Sequence, residues 1–396
     1  MGNIHPHTSK KEQVIEQRSC LFDDLIFQEI LTRLPVKSIL RFKSISKQWY
    51  STLSSSNFVN AHLIKSPFSH PSAPVNTLFI MDLMNFYVFS YDDDQLSGNL
   101  EDNLVKLDPR FSVENDDRLQ LTGSCNGLVC LTSLTRNYFI LWNPATPKLH
   151  KYASDEYYLK RFNKATNYFI TSGFGYASSV DDYKFIGILT IRQGNVQTTI
   201  GCIFSLRENR WRNIDLGHNP YFLFGQGVLV SEKLYWRAHS NQVGDLLVSF
   251  DLAVERFDMI KVNRTNMSDF LGVMGGCLGE CKYNKGDKLI HILEPPAVVK
   301  SISIPNGLTL EIFSQIIGFT KTDKYFVTLP FNYKGTIIFP SRILGIVDTR
   351  ARPMQYRIIL RFNEYIEIAR YVPSLVMPFQ IEEPSEDRCN NYFPAP

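Results

Sequence analysis

The side chains that could perform catalysis are dispersed along this sequence. Catalysis needs a nucleophile, a base and a charge stabiliser held close together. The eight histidines are scattered, and only His5 and His7 are near neighbours, in a polar stretch at the N-terminus. Neither the G-x-S-x-G motif of many hydrolases nor the H-E-x-x-H motif of zinc proteases occurs. We therefore expect a chain that performs no bond chemistry of its own and is not an enzyme.

The cysteines do not form the pattern of a metal site or of a disulfide framework. Their number, seven, is odd and they are spread along the chain, which is typical of reduced thiols. Cys277 and Cys281 are four positions apart, but no second pair and no neighbouring histidine completes a zinc site. The pair Gly275-Gly276 lacks the spacing and the following Lys-Ser/Thr of a phosphate-binding loop. We expect no metal and no cofactor.

The charge balance argues against a general attraction to polyanions. The chain has 42 basic and 39 acidic residues, a formal net charge of +3, which favours neither nucleic acid nor an anionic membrane as a partner. The most apolar run, residues 78–89, is too short to span a bilayer and is interrupted by Asp82 and Asn85. The opening residues lack the apolar stretch of a signal peptide. The expected location is the cytoplasm, the nucleus or both, with no nucleic-acid or membrane partner.

The elements that position these side chains fall into two segments of different periodicity. Residues 1–20 are polar and lack a period, so a flexible tail is expected there. Residues 21–64 have a helical pattern, in which Phe22, Ile26 and Ile30 recur at a spacing of four. Pro35 is expected to end the first helix and to begin the next, since its missing N–H costs nothing in a first turn. This pattern predicts a small helical domain.

The chain after this helical segment has the pattern of a β protein. Prolines at positions 67, 71 and 74 predict a linker over residues 65–75. From residue 76 to 380, short runs of β-branched and aromatic residues alternate with Gly, Asn, Asp and Pro, which predicts strands and turns. A second flexible tail is expected at residues 381–396. The fold class is therefore mainly β with a small α-helical N-terminal domain.

A faint internal repeat favours one architecture for the β segment. Four units share a plan of an apolar strand, a small polar turn and a second strand, with turn residues at Asn143, Ser205, Asp251 and Asp348. Weaker candidates at Asp92 and Glu294 fill the gaps. The separations are then roughly 43 to 62 residues, close to the length of one four-stranded propeller blade. This spacing favours a β-propeller of about six blades, while a β-sandwich or an irregular barrel stays open as an alternative.

Residues 21–63 also contain a long ordered motif. Its elements are Asp24-Leu25, Glu29-Ile30-Leu31, the run from Arg33 to Ser38, the run from Leu40 to Lys43, and Ser46-Lys47 before Trp49. In this order the segment resembles an F-box of the plant type. It departs from the family at Phe22, where proline is usual, and at Ser44, where cysteine is usual.

Several later segments resemble the F-box-associated domain of large plant families, which include kelch-like and S-locus F-box proteins. They include SCNGLVCL (124–131), LWNPAT (141–146), FSLRENRWRNI (204–214), GVLVSEKLYW (227–236) and VSFDLAVERF (248–257). The resemblance implies a substrate-recognition subunit of a Skp-cullin-F-box ubiquitin ligase. The F-box would bind a Skp-type adaptor and through it a cullin scaffold, and the β domain would bind the target protein, whose identity the resemblance does not give.

The helical segment has more apolar surface than a helix needs to face a single core. Roughly forty residues are too few to bury a self-sufficient core, so the surplus must face the β domain or another protein, and the proline linker favours another protein. By analogy with family positions, the adaptor contact is expected at Leu21, Leu25, Leu34, Pro35, Val36 and Leu40. The core of this domain is expected to contain Ile30, Phe42 and Trp49.

One predicted loop combines aromatic and basic side chains, which are common in protein interfaces. Its members, the candidate target-binding residues, are Tyr152, Tyr157, Tyr158, Lys160 and Arg161. An ordinary exposed loop could have the same composition. Two other functions stay open: a propeller that binds a small ligand or glycan without a role in ubiquitination, and a propeller enzyme whose titratable residues converge at the mouth of the central channel.

Overall fold

The computed structural model of the chain contains a short helical region followed by a large β region. It describes residues 25–65, 76–83, 85–91, 100–109, 117–133, 138–146, 148–153, 168–193, 196–214, 216, 221–240, 244–261, 270–274, 276–283, 288–294, 297–304, 315–320, 324–333, 336–348, 355–362 and 366–378. The order of the two regions confirms the predicted fold class, mainly β with a small helical N-terminal part.

The helical region is built from short helices. Two irregular turns open its described part, a π-helical turn at Ile26–Ile30 and a 3₁₀ turn at Leu31–Arg33. Three α-helices follow, α1 (Val36–Phe42), α2 (Lys47–Ser54) and α3 (Ser56–Lys65). Helices of this length are not stable alone in water, so the region depends on packing between them and against neighbouring structure.

Proline ends the first helical stretch, as predicted. Leu34 adopts an extended ψ of 153° immediately before Pro35, because the proline ring disfavours a helical backbone in the preceding residue. Thr32 donates its hydroxyl to the carbonyl of Gln28 at 2.5 Å, a bond from side chain to backbone that competes with regular helix geometry. The stretch predicted as a regular helix is therefore irregular where it is described, and α1 begins at Val36.

The helical region has a small core of its own. The buried members are Leu31, Val36, Ile39, Leu53 and Phe58. The ring of Trp49 packs beside this core, with its centroid 5.0 Å from that of Phe27 and 5.8 Å from that of Phe42. These aromatic pairs hold the irregular first stretch, α1 and α2 together.

The β region contains six antiparallel sheets of four strands each. The first sheet consists of β24 (Ile366–Arg370), β1 (Thr77–Asp82), β2 (Asn85–Ser90) and β3 (Leu104–Leu107), with a 3₁₀ turn at Leu100–Asn103 before β3. The second consists of β4 (Leu119–Cys125), β5 (Leu128–Ser133), β6 (Tyr138–Asn143) and β7 (Lys148–Ala153). The third consists of β8 (Tyr168–Ala177), β9 (Asp182–Gln193), β10 (Val196–Ser205) and β11 (Arg210–Ile214).

The remaining three sheets repeat this plan. The fourth consists of β12 (Tyr221–Val230), β13 (Lys233–Ser240), β14 (Gly244–Asp251) and β15 (Arg256–Lys261). The fifth consists of β16 (Phe270–Met274), β17 (Cys277–Tyr283), β18 (Lys288–Glu294) and β19 (Ala297–Ile304). The sixth consists of β20 (Gln315–Phe319), β21 (Tyr325–Tyr333), β22 (Thr336–Asp348) and β23 (Gln355–Arg361). We call the sheets blades 1 to 6 in this order.

The six sheets are arranged as the blades of a propeller. The first strand of each sheet contacts the first strand of the next sheet, from β4 through β8, β12, β16, β20 and β24 back to β4. These strands form a closed inner ring around one axis, which is the arrangement of a β-propeller and not of a sandwich or a barrel. The predicted propeller is confirmed, and the six sheets agree with the predicted number of about six blades.

Blade 1 closes the ring by joining the two ends of the β region. Strand β24 pairs antiparallel with β1, which places Arg370 opposite Leu78 and Ile366 opposite Asp82. The innermost strand of blade 1 therefore comes from the C-terminal part of the chain, and the other three strands come from the start of the β region. Every hydrogen bond of this pairing resists separation of the two ends.

The predicted turn residues lie at equivalent positions of successive blades. Each is the last residue of the third strand of its blade: Asn143, Ser205, Asp251, Glu294 and Asp348. In three of these turns the side chain accepts a backbone N–H two or three residues later. The accepting side chains are Asn143, Ser205 and Asp251, at 3.0, 3.0 and 2.9 Å. The repeat is confirmed at these positions, and its chemistry is that of a side-chain-capped turn; Asp92 lies outside the described residues.

Aromatic side chains fill the boundaries between blades. Trp236, which is fully buried, lies between blades 3 and 4 and donates its indole N–H to the carbonyl of Ser172 at 3.2 Å. A Cβ at Gly173 would lie 2.8 Å from the indole, and a Cβ at Gly227 would lie 2.7 Å from it. These two glycines therefore leave the space that the tryptophan occupies. Trp236 is therefore a core residue at the boundary between blades 3 and 4.

Candidate functional site

The helical region exposes a concentration of large apolar side chains. They are Leu25, Ile30, Ile45, Tyr50 and Ile64. All five belong to one short stretch, residues 25–65, that already has a buried core. Five exposed apolar side chains within one short stretch make this region a candidate protein-binding surface. We call these five residues the exposed apolar set.

Four of the six residues predicted to contact an adaptor are accessible. Leu25 is 55% exposed, and Pro35 is also exposed. Leu34 and Leu40 are half-buried, because they pack against the core of the helical region on one side. Leu21 lies outside the described residues. The helical region therefore presents most of the predicted contact residues to solvent, at least in part.

Val36 and Ile30 are placed differently from the prediction. Val36, predicted to contact the adaptor, is only 6% exposed and belongs to the core, because Val36 and Ile39 together form the buried stripe of α1. Ile30, predicted to be in the core, is 51% exposed. That prediction assumed a regular helix, whereas the π-helical and 3₁₀ turns change the rotation per residue and move side chains to other faces. Phe42 and Trp49 do pack against the core.

Ion pairs tie the start of the helical region to its end. The Nζ of Lys65 lies 2.9 Å from Oε1 of Glu29, and Nη2 of Arg33 lies 3.2 Å from Oε2 of the same carboxylate. The hydrogen bonds from Lys65 and Arg33 lower the pKa of Glu29. Because the carboxylate is exposed, these pairs add little stability. They orient the irregular first stretch along α3.

His62 of α3 holds the segment beside Pro35 in place. Its ring is buried, and its Nε2 lies 2.9 Å from the carbonyl oxygen of Leu34. Burial lowers the pKa of His62, so the neutral ring is favoured and its N–H donates to the carbonyl. His62 thereby supports two predicted adaptor residues. Sequence reasoning missed this role, since a separation of 28 residues leaves no local pattern.

The helical region also packs against the β region. Leu375, from the segment after β24, is buried in the core of the helical region, and Ala145 of blade 2 packs beside that core. Val59 and Leu63 of α3 pack in turn against the core between blades 2 and 3. The expectation that another protein covers the apolar surplus is therefore wrong for this part of the surface. The exposed apolar set is the part that stays uncovered by the described residues.

The propeller has a second face that is distant from these contacts. Neighbouring strands of a blade are antiparallel, so the turns after the first and third strands lie on one face and the other connections lie on the opposite face. The helical region packs on the first of these faces, where Ala145 follows the third strand of blade 2. We call the other one the distal face; it is the candidate target-binding surface.

Of the five predicted target-binding residues, the structure describes only Tyr152. Tyr152 is only 7% exposed, stacks on Phe139 with centroids 4.9 Å apart and donates its hydroxyl to the carbonyl of Pro378 at 2.7 Å. Burial raises the pKa of Tyr152. The prediction for Tyr152 is therefore wrong, because this residue lies on β7 in the core between blades 2 and 3. Tyr157, Tyr158, Lys160 and Arg161 lie outside the described residues.

The segment that contains those four residues begins and ends at the distal face. It connects the fourth strand of blade 2, which ends at Ala153, to the first strand of blade 3, which begins at Tyr168. In every blade the fourth strand ends, and the next first strand begins, at the distal face. The topology thus leaves the prediction for these four residues open to test.

The described residues contain no grouping that resembles a metal centre. They include no cluster of three or more histidine, cysteine or acidic side chains able to hold a metal ion. Cys130 is buried and Cys125 is half-buried, and burial raises the pKa of both thiols, that of Cys125 to about 12. Thiols with a raised pKa are poor nucleophiles. Among the described helices, none has the length and apolar character needed to cross a membrane.

A buried carboxyl joins the inner strands of blades 1 and 2. Glu367 lies on β24, and its Oε2 accepts the backbone N–H of Leu121 on β4. Burial raises the pKa of Glu367 to about 7. Its contacts lie within the ring of inner strands, so the carboxyl serves the closure of the propeller. The alternation in the run IEIAR predicts a strand. Nothing in this run indicates that the side chain of Glu367 is buried.

Two family models match the chain. Residues 77–291 match the F-box associated beta propeller domain, and residues 19–60 match the F-box domain. The first match begins where β1 begins, and the second covers most of the helical region. The resemblance drawn from the sequence motifs is confirmed for both parts of the chain.

Curated relatives from Arabidopsis thaliana are similar over most of the chain. An F-box/kelch-repeat protein is 28% identical over 280 residues, which cover 66% of this chain and 72% of that protein. The F-box protein CPR1 is 25% identical over 382 residues, which cover 81% of this chain and 88% of that protein. Among solved structures, a chain of a nidogen–laminin complex covers 74% of this chain and 98% of its own length at 9% identity, with a TM-score of 0.45. A TM-score this low supports no functional inference.

Proposed function

We propose that this chain, which belongs to the family of F-box proteins with an F-box associated β-propeller domain, is a substrate-recognition subunit of a Skp-cullin-F-box ubiquitin ligase. Its helical region would bind a Skp-type adaptor and through it a cullin scaffold, and its propeller would bind the target. The observation that supports this proposal best is the exposed apolar set, since an F-box that had no partner would leave that surface in water.

The adaptor contact in this proposal differs in two residues from the family analogy. Leu25, Leu34, Pro35 and Leu40 stay in it, together with Leu21 by analogy alone. Ile30 enters because it is exposed, and Val36 leaves because it is buried. Apolar side chains that lose their water on binding are the main source of affinity in such an interface.

The target would bind on the distal face of the propeller. Loops on a rigid scaffold commonly carry recognition, and the helical region occupies the opposite face through blade 2. A target held there would stand on the far side of the propeller from the adaptor. Tyr157, Tyr158, Lys160 and Arg161 stay candidates for this contact.

The chain would contribute proximity and leave the bond chemistry to other subunits. A target bound to the propeller is held at a high effective concentration relative to the ubiquitin carrier that the scaffold brings. Such a role needs no nucleophile or base on this chain. We therefore propose that the chain is a non-catalytic adaptor.

The proposal can be tested by a pull-down of the purified full chain with a plant Skp-type adaptor. The wild type should bind. Binding should be lost in a Leu34→Asp/Pro35→Ala variant and should fall at least about tenfold in a Leu25→Asp variant, because a charge would be buried in an apolar contact. The matched control is Val254→Asp, since Val254 is 69% exposed in the β region, far along the chain from the helical region.

Circular dichroism of each variant separates lost binding from lost folding. A folded wild-type chain that does not bind the adaptor would contradict the ligase role. The propeller should then be screened for small ligands and glycans. Equal binding by the Leu25→Asp variant and the wild type would place the contact elsewhere on the helical region.

A further inference from the structure

The segment after the closing strand, residues 371–378, runs from blade 1 across blade 2. We call it the C-terminal clasp. At its start the N–H of Tyr371 donates to the carbonyl of Thr77 at 3.0 Å. Near its end the carbonyl of Pro378 accepts the hydroxyl of Tyr152 at 2.7 Å. After β24 has completed the ring of blades, the chain therefore continues as the clasp along the face on which the helical region lies.

Asn143 binds the middle of the clasp with its whole amide. Its Nδ2 donates to the carbonyls of Ser374 and Val376, at 3.0 and 2.7 Å, and its Oδ1 accepts the N–H of Ala145 at 3.0 Å. The side chain is fully buried. Both amide hydrogens and the oxygen thus have partners, which is the complete use of an asparagine side chain.

The same turn position in blade 4 has a different chemistry. There Asp251 accepts the N–H groups of Ala253 and Val254 at 2.9 and 3.1 Å. A carboxylate is sufficient for that turn because only acceptors are needed. In blade 2 the turn needs an acceptor and the clasp needs two donors, so the repeat position holds an amide. Among the described turns at this position, the turn of blade 2 also binds the clasp, and it has asparagine where the turn of blade 4 has aspartate.

The turn after the first strand of blade 2 is shaped for the clasp as well. Ser374 donates its hydroxyl to the carbonyl of Asn126 at 2.5 Å. The next residue, Gly127, has a φ of +78°, and a Cβ there would lie 2.7 Å from the Cβ of Ser374 and 2.8 Å from its nitrogen. No side chain fits in that space, so glycine is required both by the backbone conformation and by the clasp.

Adjacent clasp residues are buried in two different cores. Leu375 is buried among Leu31, Val36, Ile39, Leu53 and Phe58 of the helical region. Val376 is buried in the core between blades 2 and 3, with residues such as Leu128 and Phe139. Val59 of α3 contacts both of these cores. One short segment, held by Asn143, thereby packs the helical region and the propeller against each other.

We propose that the C-terminal clasp fixes the angle between the helical region and the propeller, with Asn143 and Leu375 as its positioning residues. The covalent connection alone does not fix this angle, since a chain as long as residues 66–75 can reach roughly 35 Å. The consequence for ubiquitin transfer rests on the proposed ligase function, because effective concentration at the carrier depends on the orientation of the bound target. The clasp itself can be tested without that assumption.

The test measures the distance between the helical region and blade 4 in the full chain. Spin labels attached through noncanonical amino acids at Gln48 and Val254, both exposed, report this distance in the free chain. The wild type should give a narrow distribution. Asn143→Asp should broaden and shift it, because aspartate keeps the bond from Ala145 but cannot donate to the clasp. The matched control, Asp251→Asn, keeps its turn and should leave the distribution unchanged.

A second variant and a second readout separate positioning from folding. Leu375→Ala removes the contact with the helical core and leaves the backbone bonds of the clasp, so it should broaden the distribution too. Adaptor affinity should change less than about twofold in both variants, which is below ~0.4 kcal/mol, since no adaptor residue is altered.

An unchanged distribution in both folded variants would overturn the proposal. Loss of propeller folding in both variants would also overturn it, since the clasp would then be a folding element. Failure of the wild type to bind the adaptor would contradict the ligase role and leave the distance result intact.

Discussion

The helical region and the boundary between blades 3 and 4 are stabilised in different ways. The blade boundary is stabilised by residues of the two blades alone. Trp236 fills the space between them, and the buried Lys184 of blade 3 lies 2.8 Å from Glu255 of blade 4. Arg212 binds the second oxygen of Glu255 at 2.6 Å. Burial acts to raise the pKa of Glu255, but the hydrogen bonds from Arg212 and Lys184 lower it below its usual value.

The helical region, by contrast, is incomplete. Its core takes in Leu375 from the end of the chain, and its surface leaves Leu25 and Ile30 exposed. A unit of this size cannot bury enough apolar area to be stable by itself. The difference teaches that the propeller is the scaffold, and that the helical region is held by it on one side while its other side is left for a partner.

The largest expected effect compares two tryptophans. Trp236→Ala should destabilise the propeller by about 3–5 kcal/mol, because it empties a fully buried site between two blades. Trp49→Ala should cost about 1–2 kcal/mol, since Trp49 is half-buried and packs on Phe27 and Phe42 at one side only. Thermal unfolding followed by circular dichroism measures both.

Hydrogen exchange locates the two losses. The Trp49→Ala variant should lose protection in residues 25–65 and keep it in blades 3 and 4, whereas Trp236→Ala should lose protection in the blades. A similar loss throughout the chain in both variants would mean that the two regions unfold as one unit, and the comparison would then fail.

The propeller could be predicted from the sequence because the hydrogen bonds of its turns join residues that are close in sequence. Asn143, Ser205 and Asp251 each bind backbone groups within three residues, so the same pattern recurs wherever a third strand ends. Because these turn residues recur at similar separations along the chain, their spacing predicts the number of blades. The F-box was likewise accessible, because its motif is continuous in sequence.

The parts that failed depend on contacts between distant residues. Asn143 and the clasp are separated by 231 positions, so no local pattern shows that the turn residue also binds another segment. Tyr152 was assigned to a predicted loop, yet it lies on β7 and its hydroxyl reaches Pro378, 226 positions away. Ile30 was misplaced because a π-helical turn has no signature in the hydrophobic spacing.

A smaller effect is expected from the carboxyl that closes the inner ring. The pKa of Glu367 is raised from 4.5 to about 7 by burial. Between these values the folded chain binds more protons than the unfolded chain, so stability falls as the pH rises from 4.5 to about 7 and then stays low. Glu367→Gln should therefore stabilise the chain at pH 8 by about 2 kcal/mol, with little difference near pH 4.5, because the amide can still accept the N–H of Leu121.

Denaturant unfolding at a series of pH values measures this difference. The matched control is Glu232→Gln, since the pKa of Glu232 is lowered: burial raises it, but hydrogen bonds from Ser178 and Ser179 outweigh that effect. Its substitution should destabilise the chain at pH 8. A Glu367→Gln variant that is less stable than the wild type at pH 8 would show that the carboxyl is ionised in the closed ring at no cost.

The smallest expected effect lies in the helical region, where stability should fall between pH 6.5 and 5. Burial lowers the pKa of His62 below 6.5. Above pH 6.5 the ring is neutral in both states and nothing is lost, but below it the unfolded region takes up a proton first, so stability falls with the pH. Hydrogen exchange of residues 25–65 should therefore quicken from pH 6.5 to 5.

His62→Gln, which can still donate to the carbonyl of Leu34, should remove that pH dependence at a cost of about 1 kcal/mol or less at neutral pH. The control is His239→Gln in blade 4, where the ring lies 2.7 Å from Asp245 and far from the helical region; its exchange profile over residues 25–65 should match that of the wild type. If the His62→Gln variant kept the acid response, the sensitive group would lie elsewhere.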